Sequence, residues 1–162
     1  MNSNGKLRNM ASIYLLYKNR ILLLYRQGES IVSNLWIGSA GGKFEQPELN
    51  DAQACVLREL KEELSINEEQ IQNLALRYIT LRNTGDEVRQ NYYFFAELKG
   101  VKADVFPSTE GITQWFSPEE ISELHMPFTA KYVLEHYYQI GRLDNCLYGG
   151  MASNDTVHFL PL

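Results

Sequence analysis

Residues 58–66 read RELKEELSI, and three of these nine residues are glutamates. Glu59, Glu62 and Glu63 are spaced so that a helix would bring them to neighbouring positions of one face. Apolar residues recur at helical spacing from residue 51 to residue 64. They form one stripe, which consists of Val56, Leu57, Leu60 and Leu64. The segment therefore predicts an amphipathic helix over 51–64 whose acidic face lies beside its core face.

Like charges at these spacings destabilise a helix by about 0.2–0.5 kcal/mol per exposed pair, so a positive group should lie against them. Two interpretations are open. The glutamates could form a solvated face that Arg58 and Lys61 partly balance, which is the usual explanation of such a pattern. They could instead bind a hard divalent cation, Mg²⁺ or Mn²⁺, which prefers carboxylate oxygens and can bridge a protein to phosphates.

The segment before this helix contains a hairpin and a long loop. Residues 11–17 and 21–26 are β-rich apolar runs, and the polar residues between them predict a tight turn. Residues 27–50 are rich in Gly, Ser, Asn and Pro and allow at most a short strand. Asn50 is the expected N-cap of the helix, with Gln53 completing a capping box. Long loops inside compact domains tend to be functional.

Strand and helix patterns alternate after the acidic helix. A serine, a proline and two glutamates at 117–120 predict the start of a short helix, and Gly141 should end the second helix. Strands are expected over 74–82, 88–98 and 112–116, and the second helix over 128–140.

The element order predicts the fold class. It indicates one domain over residues 1–162 with an α/β (α+β) fold, in which helices sandwich a mixed β-sheet. The tail, residues 142–162, is ambiguous. TVHFL could be a strand, but the glycines and polar residues before it suggest a loosely attached end.

Composition excludes several classes of function. The net charge of −5 and the pI near 5.2 argue against an extended basic surface for polymeric nucleic acid. No apolar run approaches the roughly 18 residues of a membrane span, and the N-terminus does not resemble a signal peptide. The two cysteines have no metal-ligand spacing and form no disulfide framework. We therefore expect a cytoplasmic protein that reaches phosphates through a cation.

The segment GGKFEQPELNDAQACVLRELKEELSI, residues 41–66, resembles the signature of the Nudix hydrolases, G-x5-E-x7-R-E-U-x-E-E-x-G-U, in which U is a bulky aliphatic residue. Gly42 and Glu48 fit the first spacing, and Arg58 begins a match to the second half. Glu48 precedes Arg58 by ten positions rather than eight, which implies a two-residue insertion in the loop. Ser65 stands where the signature has glycine, so a left-handed helix end there would carry a cost.

The resemblance implies a role for each matching residue. Glu59, Glu62 and Glu63 correspond to the glutamates that bind divalent cations, Mg²⁺ or Mn²⁺, and Arg58 to the arginine that orients them. A main-chain carbonyl of the glycine pair commonly completes the metal shell, so Gly41 is a candidate ligand. The remaining candidates are Gly42 as the close-approach residue beside it, Glu45 and Glu48 as outer ligands or bases in the box loop, and Glu110 as a downstream general base.

The implied reaction is hydrolysis of a nucleoside diphosphate linked to another moiety. The signatures of the ADP-ribose, NADH and coenzyme A subfamilies are absent, so a MutT-like pyrophosphohydrolase acting on nucleoside triphosphates such as 8-oxo-dGTP is the default. A non-catalytic Nudix fold that senses nucleotides is the alternative. Such relatives generally lose a box glutamate, and this chain keeps all three. An isomerase of the isopentenyl diphosphate type shares the fold, but its cysteine and glutamate contexts are not recognisable.

Residues outside the box usually select the substrate in this family. Arginines could neutralise phosphates, and an aromatic residue on the strand 88–98 could stack on a base, although core packing explains that strand as well. The candidates are Arg26, Arg77, Arg89 and Tyr92, with Arg82 as a further basic residue. The aromatic helix over 128–140 could form a homodimer interface, and a core helix explains it equally well.

Overall fold

A computed structural model describes residues 5–27, 34–100 and 106–162. Residues 28–33 of the predicted long loop lie outside these ranges. We number the strands and the α-helices of the described part in chain order. The strands are Lys6–Tyr17 (β1), Arg20–Arg26 (β2), Leu35–Ile37 (β3), Ala40–Lys43 (β4), Ile71–Asn83 (β5), Glu87–Leu98 (β6), Gly111–Phe116 (β7), Tyr148–Ala152 (β8) and Val157–Pro161 (β9), and the helices are Ala52–Leu64 (α1) and Phe128–Gln139 (α2).

The described strands form one mixed sheet in the order β3-β2-β1-β6-β5-β8-β9. Strand β1 lies inside the sheet and pairs in parallel with β6 along most of its length. The other edge of β1 is shared between β4, which pairs with Met10–Ile13, and β2, which pairs with Leu15–Tyr17. Strand β7 pairs with β2. The glycines of β4 are thereby fixed beside the middle of the sheet.

Each face of the sheet packs against one helix. On β1, Ala11, Ile13 and Leu15 point into a core that includes residues of α1, whereas Tyr14 points into a second core that includes residues of α2. Strand β6 alternates in the same way, with Phe94 on the α1 side. The prediction of a mixed sheet sandwiched between helices is confirmed.

The hairpin and both long helices are confirmed, and several boundaries differ. Asp51, not Asn50, caps α1, since its carboxylate accepts the Ala54 N–H. The predicted loop contains two strands, β3 and β4, because strand pairing supplies the order that its periodicity does not show. The short helix predicted at 117–120 is confirmed as the 3₁₀ helix Pro118–Glu123, with Ser117 and Glu120 forming the capping box.

The C-terminal tail joins the sheet, with β8 parallel to β5 and β9 antiparallel to β8. TVHFL is therefore largely a strand. The glycines before TVHFL take part in the packing. A Cβ on Gly150, for example, would lie 2.9 Å from the Phe159 ring. Helix α2 places Ala130, Val133, Leu134 and Tyr137 in the second core, which accounts for much of its apolar composition. No helix in the described ranges is long and apolar enough to cross a membrane.

Candidate active site

Helix α1 places its three glutamates in different environments. The helix packs on the sheet through Cys55, Val56, Leu60 and Leu64. Glu63 lies beside this face and is 8% exposed. The Glu59 side chain is 13% exposed and that of Glu62 is 58% exposed. The acidic face thus extends from the edge of the core to open solvent.

Arg58 binds two of these glutamates at once. Its Nη1 donates to Glu59 Oε1 at 2.8 Å and to Glu62 Oε2 at 3.1 Å. Its Nη2 donates to the carbonyl of Lys43, at the end of β4, at 3.2 Å. The guanidinium therefore connects the acidic face of the helix to the glycine strand and fixes two carboxylates in relation to it.

Glu48 holds the other side of the same guanidinium despite the two-residue insertion before α1. Its Oε1 accepts from Arg58 Nε at 2.6 Å and its Oε2 from Arg58 Nη2 at 3.1 Å, a bidentate pair. Arg58 holds the pKa of Glu48 at about 2, because it hydrogen-bonds the ionised form. Glu45 lies further out, 3.8 Å from Arg58.

The glycine pair of β4 lets Glu59 approach the main chain. A Cβ on Gly42 would overlap Oε1 of Glu59, so any larger residue would displace the carboxylate. Gly41 faces β1, and a Cβ there would lie 2.6 Å from the Ala11 carbonyl. The position of Glu59 therefore depends on the missing side chain of Gly42, while Gly41 is required by the strand packing.

Glu63 lies in a cluster of carboxylates with Glu59 and Glu110, and Arg58 contacts Glu59 but not Glu63. Burial raises its pKa to about 8, and the negative charges of Glu59 and Glu110 add to the shift. Glu110 comes to α1 through the loop before β7, where the Thr109 N–H donates to the Glu63 carbonyl at 3.4 Å. The positive group of this cluster is Arg26, which lies 3.4 Å from Glu110.

The donor set of this cluster fits a hard divalent cation. Glu63 favours its neutral form mainly because it is buried, and the negative charges of Glu59 and Glu110 add to this preference; a bound cation would offset both effects. The described residues contain no group of three acidic, histidine or cysteine side chains already placed as metal ligands. Arg58 instead holds one oxygen each of Glu59 and Glu62. Binding would thus require these side chains to turn toward the cation.

The structure places only some of the predicted phosphate-binding residues near α1. Arg26 lies in the carboxylate cluster. Tyr92 faces the α1 side and packs against Phe44 of the box loop, with ring centroids 5.2 Å apart. Arg89 pairs with Glu87 toward the N-terminal end of β6.

Arg77 lies elsewhere. Its side chain donates to the carbonyls of Gly141, Asp144 and Cys146, and is 11% exposed. This placement gives no support to its predicted role as a phosphate ligand. The guanidinium anchors the tail, and its hydrogen-bonding groups are occupied by main-chain carbonyls.

Two groups that line the site are not predicted from the sequence. The Lys43 carbonyl accepts from Arg58, and the Cys55 thiol lies 3.9 Å from the Gly42 carbonyl and 3.7 Å from that of Lys43. Burial is the main cause that raises the pKa of Cys55 to about 12, so this thiol is unreactive. Main-chain carbonyls carry no sequence signal, so only the placement of β4 reveals them.

Comparison with known proteins identifies the domain. The model of the NUDIX domain matches residues 6–137, which is most of the chain. No curated protein matches.

Solved structures share the fold. The chain resembles the mutator MutT protein from Bacillus halodurans with a TM-score of 0.65 and 20% identity, over 95% of this chain and 97% of that one. It resembles the MutT protein from Methanosarcina mazei Go1 with a TM-score of 0.66 and 23% identity, over 84% and 96%. For a Nudix hydrolase from Nitrosomonas europaea the values are 0.63 and 15%, over 91% and 80%. By the match of the domain model, the chain belongs to the Nudix family of hydrolases.

Proposed function

We propose that this Nudix hydrolase cleaves a diphosphate linkage in a nucleoside diphosphate derivative. Nudix hydrolases generally use a divalent cation and act on small nucleotide substrates. Nucleoside triphosphates of the oxidised-purine type, such as 8-oxo-dGTP, are the first substrates to test, because MutT proteins share the fold. The observation that supports the proposal best is the under-compensated cluster around Glu63, beside a glycine strand that admits a carboxylate.

Glu59, Glu62 and Glu63 would hold Mg²⁺ or Mn²⁺, with the Gly41 carbonyl as a further ligand. When bound, the cation withdraws charge from the diphosphate and lowers the pKa of the attacking water. Arg58 orients Glu59 and Glu62 through one nitrogen, so that both carboxylates face the same region. Arg26, which pairs with Glu110, would neutralise a phosphate oxygen.

Proton removal from the water requires a carboxylate near the cation site. Glu110 is the downstream candidate, and its loop is tied to α1 by the Thr109 main chain. Glu62 is the candidate on α1, and its exposed side chain can turn. The proton of the water passes to this carboxylate, the oxygen bonds to phosphorus, and the opposite P–O bond breaks to give two phosphate products.

A panel of nucleoside triphosphates and diphosphate derivatives, incubated with the full chain and Mg²⁺ or Mn²⁺, tests the proposal by release of phosphate or pyrophosphate. Glu62→Gln should lower turnover by at least about a hundredfold. The matched control is Glu69→Gln, since Glu69 is an exposed glutamate outside the cluster. Equal turnover in Glu62→Gln and wild type would contradict the proposal. Tight nucleotide binding without hydrolysis in the wild type would favour the sensor alternative.

The proposal also includes the location of the protein, its partners and its oligomeric state. We expect one cytoplasmic domain with no affinity for polymeric nucleic acid, because its net charge is −5. A homodimer is a second state to test by size-exclusion chromatography with light scattering. Partly exposed aromatic residues of α2, such as Phe128 and Tyr132, are the positions to substitute in that test.

A further inference from the structure

Three arginines from adjacent strands lie side by side on the α2 face of the sheet. Arg8 of β1 is in register with Arg89 of β6, and Arg89 is in register with Arg82 of β5. Neighbouring strands are about 4.8 Å apart, so the three side chains emerge close together. We call these residues the arginine row. They lie at the other face of the sheet from helix α1.

The arginine row is only partly neutralised. Like charges directly opposite each other on neighbouring strands repel. Glu87 pairs with two members: its Oε1 is 2.7 Å from Arg89 Nε and 3.6 Å from Arg8 Nη1. Arg82 has no carboxylate partner in the part of the chain that the structure describes, and its guanidinium lies 5.3 Å from the Phe128 ring. Three arginines and one carboxylate leave an excess of positive charge in an acidic protein.

Further polar groups around the row are unsatisfied. Among the described residues, Arg8 Nε and Asn91 Oδ1 are buried and have no hydrogen-bond partner. Asn91 is two positions from Arg89 on the same face of β6. Helix α2 begins at Phe128, beside Arg82, and its N-cap Pro127 provides no side-chain cap. The first N–H groups of this helix add positive potential to the same region.

We propose that the arginine row binds a phosphate-bearing anion. Guanidinium groups bind phosphate oxygens through paired N–H donors, and a row of them supplies several such pairs at fixed spacing. An anion would also relieve the cross-strand repulsion. The site uses no residue of α1, so the inference does not depend on the proposed hydrolysis.

The distance to the glycine strand allows two sources for the anion. Arg8 is three residues along β1 from Ala11, which is in register with Gly42. At about 3.3 Å per residue the main chains at these two positions are about 10 Å apart, but the side chains lie on opposite faces of the sheet, so a substrate would reach both only around the N-terminal end of β1. The anion is thus a distal phosphate of the substrate or a separate phosphate compound.

Binding of inorganic pyrophosphate to the full chain tests the proposal, by calorimetry in EDTA at constant ionic strength. Arg82→Gln should weaken binding at least about tenfold, because it removes a charged donor pair. Glu87→Gln should tighten binding about fivefold, because it removes the repelling carboxylate. The control Arg142→Gln, at an exposed arginine outside the row, should bind as wild type does.

If the row is a binding site, Arg82→Gln and Glu87→Gln should change the affinity for pyrophosphate in opposite directions. If Glu87 only forms a structural ion pair, Glu87→Gln should not tighten binding. If Arg82→Gln also raises KM for a nucleotide that the wild type hydrolyses, at unchanged kcat, the anion belongs to the substrate. If KM is unchanged while pyrophosphate binding is lost, the anion is separate. The proposal is overturned if the wild type binds no pyrophosphate, if Arg82→Gln binds as wild type does, or if Glu87→Gln weakens binding. If the wild type hydrolyses no nucleotide, the calorimetric test of pyrophosphate binding still applies.

Discussion

Replacing Glu63 with glutamine should stabilise the protein in the absence of divalent cations. Its pKa is about 8 in the folded state and near 4.5 when the chain unfolds, because burial and the charges of Glu59 and Glu110 disfavour its ionised form. Folding therefore requires proton uptake between these two values. The cost is absent below pH 4.5, grows as the pH rises, and is complete above pH 8. At about 1.4 kcal/mol per pKa unit, it is on the order of 3 kcal/mol at pH 7.

Urea unfolding in EDTA at pH 4, 7 and 9 measures this cost. The free energy of unfolding of Glu63→Gln should equal that of wild type at pH 4 and exceed it by an increasing margin at pH 7 and pH 9. Glu69→Gln, at an exposed position, is the control and should show no such trend. Addition of Mg²⁺ should stabilise the wild type more than the variant. A difference that does not depend on pH, or a variant less stable than wild type at pH 9, would refute the explanation.

Three further outcomes follow from the geometry around α1. Ser65→Gly should raise the free energy of unfolding by about 1 kcal/mol in urea titrations, because Ser65 ends the helix with a φ of 55°. Gly42→Ala should lower kcat at least about tenfold in the phosphate-release assay, because its methyl group would displace the Glu59 carboxylate. Glu48→Gln should lose roughly 2 kcal/mol of unfolding free energy at pH 6, as its charged hydrogen bonds to Arg58 weaken. That deficit should disappear as the pH falls toward 2, where wild-type Glu48 is protonated too.

Local patterns were sufficient to predict the parts of the fold that local interactions determine. Helix α1 follows from one apolar stripe, and its observed end at Ser65 agrees with the strained position that the missing glycine indicated. The first hairpin follows from two apolar runs and a polar turn, in which Lys18 and Asn19 both have positive φ. These features depend on residues within a few positions of each other, so the sequence shows them directly.

Features that depend on distant contacts could not be predicted in the same way. The tail glycines suggested a loose end, yet Gly150 is small because Phe159 and Thr80 pack against it. The loop before β7 meets α1 through the Thr109 main chain, which has no sequence signature. Arg77 resembles a free cation in sequence, and only the folded tail supplies the carbonyls that occupy it.

The acidic face of α1 is neutralised unevenly, and this unevenness indicates where a cation would bind. Arg58 shares its donors among Glu48, Glu59 and Glu62, so this end of the face already carries a counter-charge. Glu63 is deeper, lies beyond Arg58, and has the most strongly raised carboxyl pKa. A cation therefore gains most between Glu59 and Glu63, where it relieves repulsion and displaces a proton. We expect cation affinity to rise with pH up to about 8, because Glu63 must lose its proton before it can bind.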